Sequence, residues 1–189
     1  MKDSKYAVFE DDSKNYNLNI VGIRSNEMIV NKFNDVIVVF WKNDGKWSVL
    51  QMGATTLAGI PWMENPMNKK GCAILASGQY RGAYSIGTHV DYLALVQSKP
   101  VTVYRDDDRD REYDMLASAK ETGMFGINIH RAAKFGEVQN VDKWSAGCQV
   151  IQSPSEFSLF MEVLNMSREN WGNSFTYTLI NESNYKDYL

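Results

Sequence analysis

Gly126-Ile127-Asn128-Ile129-His130-Arg131, followed after a short polar insertion by Lys143-Trp144-Ser145-Ala146-Gly147-Cys148-Gln149-Val150, is the stretch on which the fold assignment turns. It holds one of the two histidines and one of the two cysteines in the 189-residue chain. Ile127 and Ile129 alternate with Asn128 and His130, the period of two that marks a strand with one buried face, so His130 is expected at a strand end. Gly136, Glu137, Gln139, Asn140 and Asp142 predict a loop, and Trp144 to Cys148 a tight turn feeding a strand from Gln149 to Ile151. Cysteine attacks as its thiolate, and a neighbouring imidazole lowers the thiol pKa and handles the proton, so the pair has the makings of nucleophilic catalysis. Ala146 and Gly147 are small enough to leave backbone amides open to a developing oxyanion.

Outward from this stretch the chain is strand-rich. Asp35–Trp41 (DVIVVFW) and Trp47–Leu50 flank Asn43-Asp44-Gly45, which predicts a hairpin whose tryptophans pack in the core. Met52 to Pro61 predicts a strand breaking into a Thr- and Gly-rich turn, and Gly71 to Leu75 a strand with Cys72 as a small core residue. Gly78 to His89 collects glycines, tyrosines, an arginine and the second histidine, which points to a groove wall with Tyr80 and His89 as candidate substrate contacts. A turn-rich strand pair explains the same glycines. Strands are expected over Tyr92–Gln97 and Val101–Tyr104. Asp106, Asp108 and Asp110 alternate as calcium ligands do, yet the Gly and Glu of such a loop are missing and arginines interleave, so a solvated turn is expected and no metal. Asp114–Lys120 predicts a short helix, and Phe157, Phe160, Met161 and Leu164 an amphipathic helix after Pro154. A last strand runs from Ser174 to Ile180 before a polar tail.

Composition narrows the function classes. A net charge of −3 and a pI near 5.4 give no basic footprint for nucleic acid. No stretch is apolar enough to span a membrane, and two cysteines are far from a disulfide framework, so both are expected reduced. The opening MKDSKYAVFEDDSKNYNLN lacks a secretory signal pattern. The expectation is a cell-envelope or secreted protein after loss of a leader, or a cytoplasmic one until a phage or secretion system releases it.

The histidine, the gap to Ser145 and the Ser-small-Gly-Cys turn resemble the L,D-transpeptidase catalytic domains that remodel bacterial peptidoglycan. The resemblance implies a mainly β domain with a few helices, a β-sandwich over residues 30 to 189 after an extension of residues 1 to 29. It implies Cys148 as nucleophile, His130 as base and later acid, the Arg131 carbonyl orienting the imidazole, and an oxyanion hole from amides around Ser145, Ala146 and Gly147. Trp144, beside the turn, joins Tyr80 and His89 as a candidate substrate contact. Peptidoglycan stem peptides are the implied partner, with no cofactor. Two positions depart from the family pattern: Ala146 stands where the family has histidine, and Val150 where it has a polar residue expected to face substrate. A wall-cleaving cysteine peptidase or amidase shares the same nucleophile. A wall-binding or phage structural module would keep the fold without turnover, since buried cysteines and strand-end histidines also occur as plain structural groups.

Overall fold

Alternating burial in β2 (Asp35–Asn43) puts Ile37, Val39 and Trp41 on one dry face. The chain then reverses through Asp44 and Gly45, whose φ values of 49° and 75° give the doubly left-handed turn that suits the twist of a hairpin. β3 (Lys46–Thr55) returns along it in continuous register from Asn43↔Lys46 to Asp35↔Ala54. Trp41 sits in the core as expected, whereas Trp47 is exposed, tilted against Phe40 with the Lys42 ammonium over its ring. A period of two places these tryptophans on opposite faces, because their positions are cross-strand neighbours offset by one.

This hairpin belongs to a closed barrel in the computed structural model, which describes residues 6 to 184. The other barrel strands are β1 (Asn19–Arg24), β5 (Gly78–His89), β6 (Tyr92–Gln97), β9 (Ile129–Arg131), β10 (Gln149–Ile151) and β11 (Phe175–Asn181). Their order is β1-β11-β5-β6-β9-β10-β3-β2. A second sheet lies apart, with β4 (Cys72–Leu75), β7 (Val101–Asp106) and β8 (Lys120–Gly123) in the order β4-β7-β8. The chain is therefore mainly β, but the large sheet closes on itself and has no free edge where a sandwich would. Two parallel pairings, β1 with β11 and β9 with β10, make that closure; the remaining neighbours are antiparallel.

Within the stretch expected as an extension, β1 is hydrogen-bonded to β2 on one side and β11 on the other, so residues 19 to 24 are part of the barrel. Its Ile20 and Val21 are buried. The first five residues and the polar tail from 185 lie outside the described residues. Two helices complete the fold: α1 (Ile60–Glu64), begun by Pro61, and α2 (Pro154–Trp171), which buries Phe157, Phe160 and Leu164 at helical spacing. α2 stops at Gly172, whose φ is 85°. The helix expected over Asp114–Lys120 is instead a single 3-10 turn at Ala117–Ala119 leading into β8. Its Leu116 is exposed, so no apolar face exists for a helix to bury.

One polar network ties the two sheets together. Arg24 is fully buried and donates from Nε to Thr56 Oγ1 (2.8 Å) and from Nη2 to the carbonyls of Thr56 (3.2 Å) and Leu75 (2.9 Å). Thr56 Oγ1 in turn donates a hydrogen bond to Asp35 Oδ2 (2.7 Å), which also accepts from the Thr56 amide. Burial lowers the Arg24 pKa and Asp35 opposes that shift, so the cation is kept charged by a carboxylate one hydroxyl away. Removing one member of such a buried set leaves the other without compensation. Arg24→Met is expected to lose about 3–5 kcal/mol of stability in urea unfolding. A loss under about 1 kcal/mol, the level of an exposed pair, would contradict this role.

Candidate active site

β9 and β10 run parallel, with Ile129 opposite Gln149 and His130 opposite Val150. The Gln149 amide donates to Asn128 O (2.9 Å), so Cys148, just before β10, is carried alongside the segment that precedes His130. The turn ahead of it is stapled from within. Ser145 Oγ, fully buried, accepts from the Gly147 amide (3.1 Å) and donates to Cys148 O (2.8 Å). Gly147 has φ of 124°, and a Cβ there would stand 2.3 Å from the Ala73 carbonyl of β4. Only glycine lets the turn press this closely against the second sheet.

The staple changes the expected oxyanion hole. Gly147 spends its own amide on Ser145, whereas among the described residues the amides of Ala146 and Cys148 have no protein acceptor. Both residues line a cavity of about 610 Å³ together with His130, His89 and Trp144. Ser145 is therefore a turn-shaping residue and not a group in contact with the cavity.

His130 is buried, and its Nδ1 lies 2.8 Å from the Arg131 carbonyl oxygen. A carbonyl only accepts, so Nδ1 carries the proton and Nε2 is the basic nitrogen. Tyr92 Oη, 3.4 Å from the same carbonyl and 3.3 Å from Nδ1, braces this arrangement. Burial lowers the His130 pKa to about 4, helped by the His89 ring stacked on it at 4.1 Å and opposed by the Arg131 carbonyl. The imidazole is thus neutral across the physiological range.

The Cys148 thiol is half-buried and donates to Gly126 O (3.3 Å). Its pKa is pushed up to about 11 by burial, with the Asn128 backbone N–H pulling the other way. The residue also lines the cavity, so the thiol is partly desolvated while its surface remains reachable. This corrects the expected thiolate: the resting pair is a neutral thiol and a neutral imidazole. Cys72 rises likewise to about 11 by burial. It lines the same cavity but is nearly inaccessible, its Sγ 3.8 Å from Ala146 O.

The remaining candidates divide. His89, at the end of β5, and Trp144, 42% exposed, both line the cavity. Tyr80 does not: its hydroxyl is held by Ala76 O (2.5 Å) and Thr102 O (3.1 Å), a tie to the second sheet, so it is not available as a substrate contact. Val150 is fully buried and off the cavity, so that departure from the family pattern removes no group from the cavity wall. Sequence reasoning missed the apolar rim, in which Met67, Val90 and Met124 are 80%, 86% and 57% exposed. Scattered single residues from three loops carry no periodic signal. Lys143 and Arg105 are the charged lining residues, both cationic. The carboxylates of Asp106, Asp108 and Asp114 gather within 4.8 Å, and those of Asp106 and Asp108 accept from the amides of Asp114 and Asp110.

Linkage fixes how His130 responds to acid. The unfolded chain takes up this proton near the ordinary value of 6.5, whereas the folded chain resists until about 4, so its contribution to stability is present above 6.5 and is lost as pH falls toward 4. The melting temperature of the native chain should fall more steeply between pH 6.5 and 4 than that of His130→Asn; equal slopes would contradict the buried neutral ring. No protein-family model, curated protein or solved structure matches the chain, so the chemistry of the site has to be read from these residues.

Proposed function

We propose that the chain is a cysteine acyltransferase of the L,D-transpeptidase kind that works on peptidoglycan stem peptides in the cell envelope. The observation that carries this is the presence of Cys148 and a carbonyl-anchored His130 on the wall of one cavity, beside two backbone amides with no acceptor among the described residues. The eight-stranded closure is taken within this proposal as the counterpart of the family's catalytic sandwich, with β9 carrying the base and β10 following the nucleophile.

The neutral resting pair dictates the order of events. As Sγ bonds to the carbonyl carbon of a stem peptide, His130 Nε2 takes the thiol proton, so no free thiolate has to form in the apolar site. The carbonyl oxygen gains negative charge facing the Ala146 and Cys148 amides. Collapse breaks the C–N bond, His130 returns the proton to the departing amine, and a Cys148 thioester remains. An acceptor amine then attacks the thioester, gives its proton to His130, and restores the thiol. The exposed apolar rim and the Lys143 ammonium supply a surface for a peptide chain bearing carboxylates, Arg105 being paired with Glu121 (3.0 Å).

Incubation with purified peptidoglycan fragments followed by mass spectrometry is expected to show new cross-links that disappear in Cys148→Ala. Shortened stems without cross-links would replace the transferase by a peptidase with water as acceptor. Unchanged fragments would contradict acyl transfer and favour a non-catalytic wall-binding module.

A further inference from the structure

The two histidines of the chain come from distant segments, yet their rings stack at 4.1 Å with 19° between planes. Their tautomers are fixed by different neighbours and are opposite in sense. Asn128 Oδ1 accepts from the Gln97 amide (2.9 Å), which settles the orientation of its side-chain amide. Its Nδ2 is then a donor, and it lies 3.0 Å from His89 Nδ1. His89 Nδ1 must accept, so its proton sits on Nε2. With Nδ1 taken, the Nε2–H is the remaining polar atom that His89 brings to the cavity wall, and among the described residues no protein acceptor takes it. His130 has the reverse arrangement, with Nδ1–H spent on Arg131 O and a bare Nε2. One stack therefore presents a hydrogen-bond donor and a base to the same cavity.

Both rings are kept neutral by their surroundings. Burial lowers the His89 pKa, and the Arg131 guanidinium adds to this, while Asp91 opposes it. Arg131 lies over the Tyr92 ring at 4.1 Å, and Tyr92 meets His89 edge-on at 5.5 Å. A neutral imidazole N–H is suited to polarise a carbonyl without handing over its proton. With the Gly147 amide already bound by Ser145, a His89 donor would add to the Ala146 and Cys148 amides of the turn.

We propose that His89 is a further catalytic residue, whose Nε2–H donates to the carbonyl oxygen of the acyl group that Cys148 attacks. Resting on the acyl-transfer function above, the proposal gives the stacked pair a division of labour. His130 moves the thiol proton, and His89 holds the oxygen that becomes negative as the Sγ–C bond forms. Neither role can be exchanged while Asn128 and Arg131 fix the tautomers.

Two reactions of the same thiol separate the roles. Acylation by p-nitrophenyl acetate forms the Sγ–acyl bond, expels p-nitrophenolate and passes through an oxyanion. Alkylation by iodoacetamide displaces iodide and forms none. His89→Phe keeps a ring to stack on His130 but has no donor, and His89→Gln restores a donor without the stack. The expected result is a Cys148 acylation rate lowered about a hundredfold in His89→Phe, as for loss of one oxyanion donor. Cys148 alkylation in the same variant should stay within about twofold, which also shows that the site is intact, and His89→Gln should recover part of the acylation. Acylation and alkylation falling together, or acylation unchanged, would overturn the donor role and leave Cys148 as the nucleophile. Absence of Cys148-dependent acylation in the native chain would overturn the acyl-transfer function and the donor role with it.

Discussion

The parallel pairing of β9 with β10 is the constraint on which the rest of the molecule depends. These are three-residue strands, and they are the span that joins β6 to β3 and closes the barrel. Without them the large sheet would have two open edges. The same register sets Val150 against His130 and bonds Gln149 N to Asn128 O, so barrel closure and the approach of Cys148 to the His130 segment are one event. Short strands hold few ladder bonds, and the pair is reinforced from outside. α2 packs on it, and Phe157 of that helix meets Tyr92 edge-on, whose hydroxyl reaches the Arg131 carbonyl.

Packing also determines the electrostatics. Among the described residues no carboxylate partners His130; the site orients the imidazole with a carbonyl and depresses its pKa by burial and by a second imidazole. The thiol is raised by the same dryness. In the proposed acyl transfer such a pair is neutral at rest and acquires charge only when a substrate carbonyl arrives to receive the sulfur's electrons. Water has little access to a free thiolate, because none is formed. Arg131 contributes twice, through a carbonyl that fixes the base and a guanidinium that disfavours protonation of both rings.

The sequence made the hairpin at Asn43-Asp44-Gly45, the apolar stripe of α2 and the strand placing Ile129 and His130 legible, because each is a local pattern with a fixed period or turn chemistry. The Ser-Ala-Gly-Cys turn was legible as a tight turn, but the use of Ser145 Oγ to bind Gly147 N was not, since it depends on the rotamer that Ser145 takes in its buried surroundings. Closure of the barrel was hidden for a related reason: parallel partners such as β1 and β11 lie at opposite ends of the chain, and no local pattern reports them. Tyr80 looked like a groove residue among glycines, whereas its hydroxyl serves two carbonyls at the junction of the sheets. The His89–His130 stack joins segments about forty residues apart through Asn128, which stands just before β9 and not in it, and whose hydrogen bonds only the fold supplies.

Covalent trapping tests the central claim most directly, because it records the bond that the mechanism requires. A carbapenem offers a strained carbonyl whose thioester is slow to resolve, the behaviour that the family resemblance implies for Cys148. Intact-mass measurement after exposure is predicted to show one adduct per chain, located on the peptide that contains Cys148 and absent in Cys148→Ala. An adduct that persists in Cys148→Ala, or no adduct from either carbapenem or stem peptide while Cys148 remains open to alkylation, would contradict the account.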